Sequence, residues 1–132
     1  MKKVMRIYCN GNIDVLDVPG EITCSWVAEQ IGCELIEVVH PEKLKEGFLM
    51  LVDEEGLLKE NFINLIGSWL YGTEKHGSPI AGDIMVIRET YGPDGPDFDG
   101  MSDQEVEEMK KDLRWPADRL ARYATILRSR LS

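Results

Sequence analysis

The chain has 132 residues, 43% of them apolar and 30% charged, and a formal net charge of −9. That suits one domain with a real core, or a domain of about 90 residues with an appendage. So acidic a body lacks the electrostatic footprint of a nucleic-acid binder, and no run of about 18 apolar residues offers a membrane span.

The basic start, Met1 to Arg6, is followed by charged and polar residues, not by the apolar core of a secretion signal. Val4–Cys9 and Ile13–Val18 flank Asn10-Gly11-Asn12, a turn between two β-rich runs and hence a hairpin. Thr23 or Ser25 can cap a short helix carrying Trp26, Val27 and Ile31, with Gly32 as its left-handed stop. Glu34–Val39 reads as a partly buried strand ended by Pro41. Phe48–Val52 is continuously apolar, as expected of a strand covered on both faces. Asp53-Glu54-Glu55-Gly56 then turns the chain, and Leu57-Leu58 could pair back briefly. Phe62, Leu65, Ile66, Trp69 and Leu70 recur at helical spacing up to Gly72, and a last strand covers 83–87.

Tyr91–Gly100 holds three glycines and two prolines and reads as a linker. Ser102 and Glu105 make a capping box for a helix with Val106, Met109 and Leu113 on its apolar side, which Trp115-Pro116 should break. A final helix would carry Leu120, Ala124, Leu127 and Leu131. Charge divides unevenly here: residues 1–112 sum to −13 and residues 113–132, with five arginines, to +4.

Few side chains form a chemical set. The acidic turn 53–56 lacks the alternating oxygens of a calcium loop, and Asp97 and Asp99 lack its glycine and terminal glutamate. Neither His40 nor His76 has a serine or cysteine at a motif spacing, and G-x-S-x-G and both phosphate-binding glycine motifs are missing. The three cysteines, Cys9, Cys24 and Cys33, show no C-x-x-C spacing and read as small buried thiols in a reducing cytosol. Asn64 opens an apolar helix, where its amide can cap or bind.

The ordered motifs Ile36-Glu37-Val38-Val39, Leu51-Val52-Asp53-Glu54-Glu55-Gly56, Asn64-Leu65-Ile66-Gly67-Ser68-Trp69-Leu70-Tyr71 and Ile80–Ile87 carry a resemblance. Over about residues 4–88 the chain resembles a family of small proteins of unknown function encoded largely by bacteriophages, plasmids and integrative elements. The family usually reads N-x-x-A-T-x-L where this chain has Gly67 and Ser68, and Gly32-Cys33 stands where a glycine pair is usual. The resemblance implies a small α+β domain and a mobile-element context, and supplies no catalytic residues.

The expected fold is α+β: a mostly antiparallel sheet with short packed helices over residues 1–90, a linker over 91–101 and a helical hairpin over 102–132. The expected function is that of a non-enzymatic, cytoplasmic accessory protein that binds a host or mobile-element protein. A narrower form is inhibition of a host defence system through an acidic surface. No cofactor, metal, nucleic acid or membrane is expected as a partner. Asp103, Glu107, Glu108, Trp115, Leu120 and Leu127 are the candidate protein contacts. The alternative is a small-molecule or nucleotide pocket between sheet and helix near Asp53, Asn64 and Asp83. Two apolar helical stripes cannot cover each other alone, so either the sheet or a second copy covers the remainder. The homodimer through the hairpin is the version predicted.

Overall fold

A computed structural model describes residues 2–59 and 61–119. The predicted first hairpin is β1 (Lys3–Ile7) paired with β2 (Ile13–Asp17), closed where Tyr8 N–H donates to the Asn12 carbonyl at 2.9 Å. Helix α1 (Cys24–Ile31) is capped by Thr23, whose hydroxyl accepts from Trp26 N–H, and stops at Gly32. Gly32 has φ +72°, a left-handed conformation that a side chain would resist. There follow β3 (Ile36–Val39), β4 (Phe48–Asp53), α2 (Leu65–Tyr71), the single turn α3 (Thr73–His76), β5 (Ile84–Gly92), β6 (Gly95–Asp99) and α4 (Asp103–Asp118).

The sheet is antiparallel throughout, in the order β2-β1-β5-β4-β3, with β6 pairing the far half of β5. The α+β expectation is met by these six strands and four helices. Registers Met5↔Val86↔Met50 place one row of side chains on the face covered by α2 and α4. The alternate residues Leu49, Leu51, Met85 and Ile87 point the other way, under Val27 and Ile31 of α1. The continuous apolar run of β4 is thus explained: each face of the strand meets a different helical layer.

Three expectations need correction. The segment read as a linker is the end of β5, a turn at Pro93-Asp94, and β6; Met101 then bridges back to Lys3 through two backbone hydrogen bonds. Its glycines and prolines serve a tight hairpin, and Pro96 is tolerated because β6 pairs on one side only. The stripe Val106, Met109, Leu113 is buried in the same cluster as Met5, Ile7 and Leu44, so the sheet covers it and it is not free for a second copy. Finally, α4 passes through Trp115-Pro116 instead of breaking there. Buried Pro116 continues the stripe in the last turn. Leu120, Leu127 and the proposed final helix lie outside the described residues, as does the hairpin they were to form.

The stretch after β4 also differs in detail. Residues 54–59 are turns, leaving Leu57 and Leu58 unpaired, and Phe62 stands 85% exposed ahead of α2 instead of on its buried face.

Candidate functional site

The three residues nominated for a ligand pocket are each occupied by the fold. Asn64 is fully buried; its Oδ1 accepts from Gly67 N–H at 2.9 Å as the α2 cap, and its Nδ2 donates to the Ile7 and Gly82 carbonyls at 2.9 and 3.0 Å. One amide thereby ties α2 to β1 and to the entry of β5. Beside it, the buried Ser68 hydroxyl accepts from Ile80 N–H at 3.0 Å and donates to the Ile80 carbonyl. The hydroxyl of the family's usual threonine would suit that strap as well. Asp53 accepts from Glu55 N–H and Asn61 Nδ2 and pairs with Lys59 at 2.6 Å, which organises the turn after β4. Asp83 accepts from Cys9 N–H at 3.0 Å. Asp53 also lines a hollow beside β3.

The acidic face of α4 is largely paired. Glu105 completes the predicted capping box, accepting from Ser102 N–H while Ser102 Oγ accepts from Glu105 N–H, and it also pairs with Arg88. Glu108 and Asp112 approach Lys45, and Glu107 lies 3.4 Å from Lys110. Asp103 adds its field to Lys3, which sits in an ion pair with Asp17. These carboxylates are balanced by lysines and an arginine and do not form a bare row.

Reactive groups are few. Burial, reinforced by Asp83, pushes the Cys9 thiol up to about 11, away from thiolate chemistry. His40 joins Glu89, whose other oxygen accepts from Tyr91 Oη at 2.7 Å. The His40 hydrogen bond holds the Glu89 carboxyl below its ordinary value, and Glu89 in turn raises the Tyr91 phenol. This trio contains no serine or cysteine nucleophile, and 49 residues separate His40 from Glu89, so no spacing in the chain announces it. Among the described residues no three His, Cys, Asp or Glu side chains converge as metal ligands, and no helix is long and apolar enough to cross a membrane.

What the fold leaves unspent lies at β3. This strand is the edge of the sheet, with β4 as its one partner among the described residues. Glu54 N–H donates to the Leu35 carbonyl, extending the β3–β4 ladder by one pair. Alternation along an antiparallel pair therefore turns Glu37 and Val39 toward β4 and points the N–H and C=O groups of Ile36 and Val38 outward. Leu35 is 53% exposed and Val38 42%, while Leu57 and Leu58 next to the strand are 49% and 83% exposed. Against Val39 lies a hollow of about 380 Å³ walled by Leu57, Leu58, Tyr71, Pro79 and Ile80, with Glu37, Asp53 and Glu54 also lining it. The sequence contains one hint of this site: a leucine pair after an acidic turn with no strand of its own to join.

A family model for a domain of unknown function, DUF3846, matches residues 18–114. The chain belongs to this family. Its span differs from the resemblance read over 4–88. The DUF3846 region takes in β6 and α4 as far as Arg114, which agrees with the burial of α4 in the common core. It begins after β2, although β1 lies between β2 and β5 and supplies Met5 and Ile7 to that core. No curated protein and no solved structure matches the chain.

Proposed function

We propose that this DUF3846 protein is a non-enzymatic accessory protein that acts by binding another protein, and that the β3 edge is where it does so. The observation that carries the reading is the gathering of a strand edge with no further partner among the described residues, the exposed Leu57 and Leu58 beside it, and the hollow that they help to wall. Such an edge invites another chain unless charge or cover blunts it, and contiguous exposed apolar surface marks interaction sites. The partner would be a protein of the host or of a mobile element, the context implied by the resemblance. Inhibition of a host defence system is the narrower form. Because most α4 carboxylates are paired, the version proposed works through β3 and not through a row of phosphate-like charges.

The test is affinity capture from a bacterial lysate with the full-length protein and with the double variant Leu57→Asp, Leu58→Asp. Both leucines are exposed, so the variant should fold. A stoichiometric protein retained by the wild type and lost by the variant is the expected result. Repeated captures without such a partner, or equal retention by both proteins, overturn the reading.

A second reading, a small-molecule site, is favoured by one observation: the hollow lies between β3–β4 and the end of α2, with Asp53 in its wall. A nucleotide series in a thermal-shift assay tests it. Ligand-specific stabilisation that grows with the logarithm of concentration would support it; unchanged melting across the series would remove it.

A further inference from the structure

We propose that the occupant of the β3 edge is an extended segment of a partner protein, apolar in character with a lysine or arginine facing Glu37, which joins the sheet as an additional strand. The inference rests on the protein-binding reading above and specifies what is bound. Backbone geometry supplies the first part of the argument. The outward N–H and C=O groups of Ile36 and Val38 are spaced as one rung-and-gap of a ladder, so they pair with an extended backbone and not with a helix.

Side-chain alternation supplies the second. On the hollow side the edge presents Leu35, Glu37 and Val39; on the other it presents Ile36 and the exposed Val38. An added strand sets its own side chains beside these in the same alternation. Residues next to Leu35 and Val39 would be apolar, one of them entering the hollow over Leu57 and Leu58. The residue between them meets the Glu37 carboxylate, with Glu54 on the same rim.

Charge decides the third part. Glu37 and Glu54 are exposed, and neither has an ion pair among the described residues, whereas Asp53 is already held by Lys59. A basic side chain at the central position is attracted; an acidic one is repelled. A second copy of this chain fits poorly, because the antiparallel register that pairs Ile36 with Val38 in both directions sets the two Glu37 carboxylates opposite each other, between molecules that each carry a net charge of −9.

The experiment uses the full chain and a short fluorescein-labelled peptide, Thr-Val-Leu-Val-Lys-Val-Leu-Thr, capped at both ends. Three comparisons accompany it: the peptide with its central lysine replaced by glutamate, the peptide N-methylated at alternate residues, and the protein variant Glu37→Lys. Anisotropy should show binding that weakens roughly tenfold with the glutamate peptide, from the swap of attraction for repulsion at a partly screened site. The Glu37→Lys protein should reverse that preference, and N-methylation should abolish binding. Hydrogen exchange should show the Ile36 and Val38 amides exchanging freely in the protein alone and protected in the complex.

Binding that leaves those amides unprotected, or that ignores the lysine-to-glutamate swap, overturns the proposal. So does failure of the peptide to bind. In either case the capture experiment with the leucine variants decides separately whether the protein-binding reading survives. A dimer in light scattering, with the same amides already protected in the protein alone, would assign the edge to a second copy and likewise overturn the proposal.

Discussion

Asn64 shows how much one buried amide can organise. Its three hydrogen bonds reach α2, β1 and the turn before β5, and none can be replaced by water at a fully buried site. Asn64→Ala removes all three bonds at a buried site, so unfolding free energy should fall by about 2–4 kcal/mol, read as a lower urea midpoint at unchanged slope. Ser68→Ala, which leaves the Ile80 N–H without its acceptor while the Ile80 carbonyl keeps the Asn64 N–H, should cost about 1–2 kcal/mol in the same measurement. Thiol chemistry gives a separate prediction. Cys24 is exposed, whereas Cys9 is half-buried with its thiol pushed up to about 11, so at pH 8 a disulfide reagent should modify Cys24 well before Cys9. Cys24→Ser should remove the fast phase; a fast phase that survives this change would contradict the assignment.

Two elements are held by carboxylates whose protonation is linked to stability. Ser102 N–H, and then Arg88, lower the Glu105 carboxyl below its ordinary value of 4.5; the His40 hydrogen bond does the same for Glu89 on β5. A depressed carboxyl contributes stability that is complete above the unfolded-state value and is lost as pH falls through the folded one. The protein should therefore lose stability as the pH is taken below about 4.5. Glu105→Gln and Glu89→Gln should each flatten that loss in urea titrations at pH 6, 4 and 3. An unchanged profile in both variants would mean that other groups carry the acid sensitivity. Both carboxylates are also exposed enough for salt to weaken the effect.

At the scale of the whole molecule, α4 is part of the core and not an appendage. Val106, Met109 and Leu113 are each nearly inaccessible, and stripping them from the sheet exposes their own surface as well as Met5, Ile7 and Leu44 beneath. Burying three such side chains is worth about 5–8 kcal/mol, comparable to the entire stability of a small domain. A chain ending after residue 101 should therefore fail to show cooperative melting. One ending after residue 118 should retain it, since every described element is present. Circular dichroism melts of the two chains check this. Cooperative melting of the shorter one would restore the separable body predicted from composition.

Local chemistry was enough to read many pieces of this protein from its sequence. Thr23, Asn64 and the Ser102–Glu105 box define helix starts because capping needs only a few residues in order, and Gly32 and Gly72 mark ends because φ is positive there. The first hairpin and the doubly covered β4 follow from a turn dipeptide and an unbroken apolar run. The capping role of Asn64 was legible in the sequence, but its ties across the fold were not, because the carbonyls of Ile7 and Gly82 arrive from 57 and 18 residues away. Tertiary structure decided everything that depends on who lies opposite. β6 exists because it pairs with a polar half of β5 whose own pattern signals no strand. Pro116 stays helical because the body buries its face. The β3 edge is a candidate site because no described strand follows it in the sheet. Pairing and burial over long separations leave no local periodicity, so these features became visible only once the chain was folded.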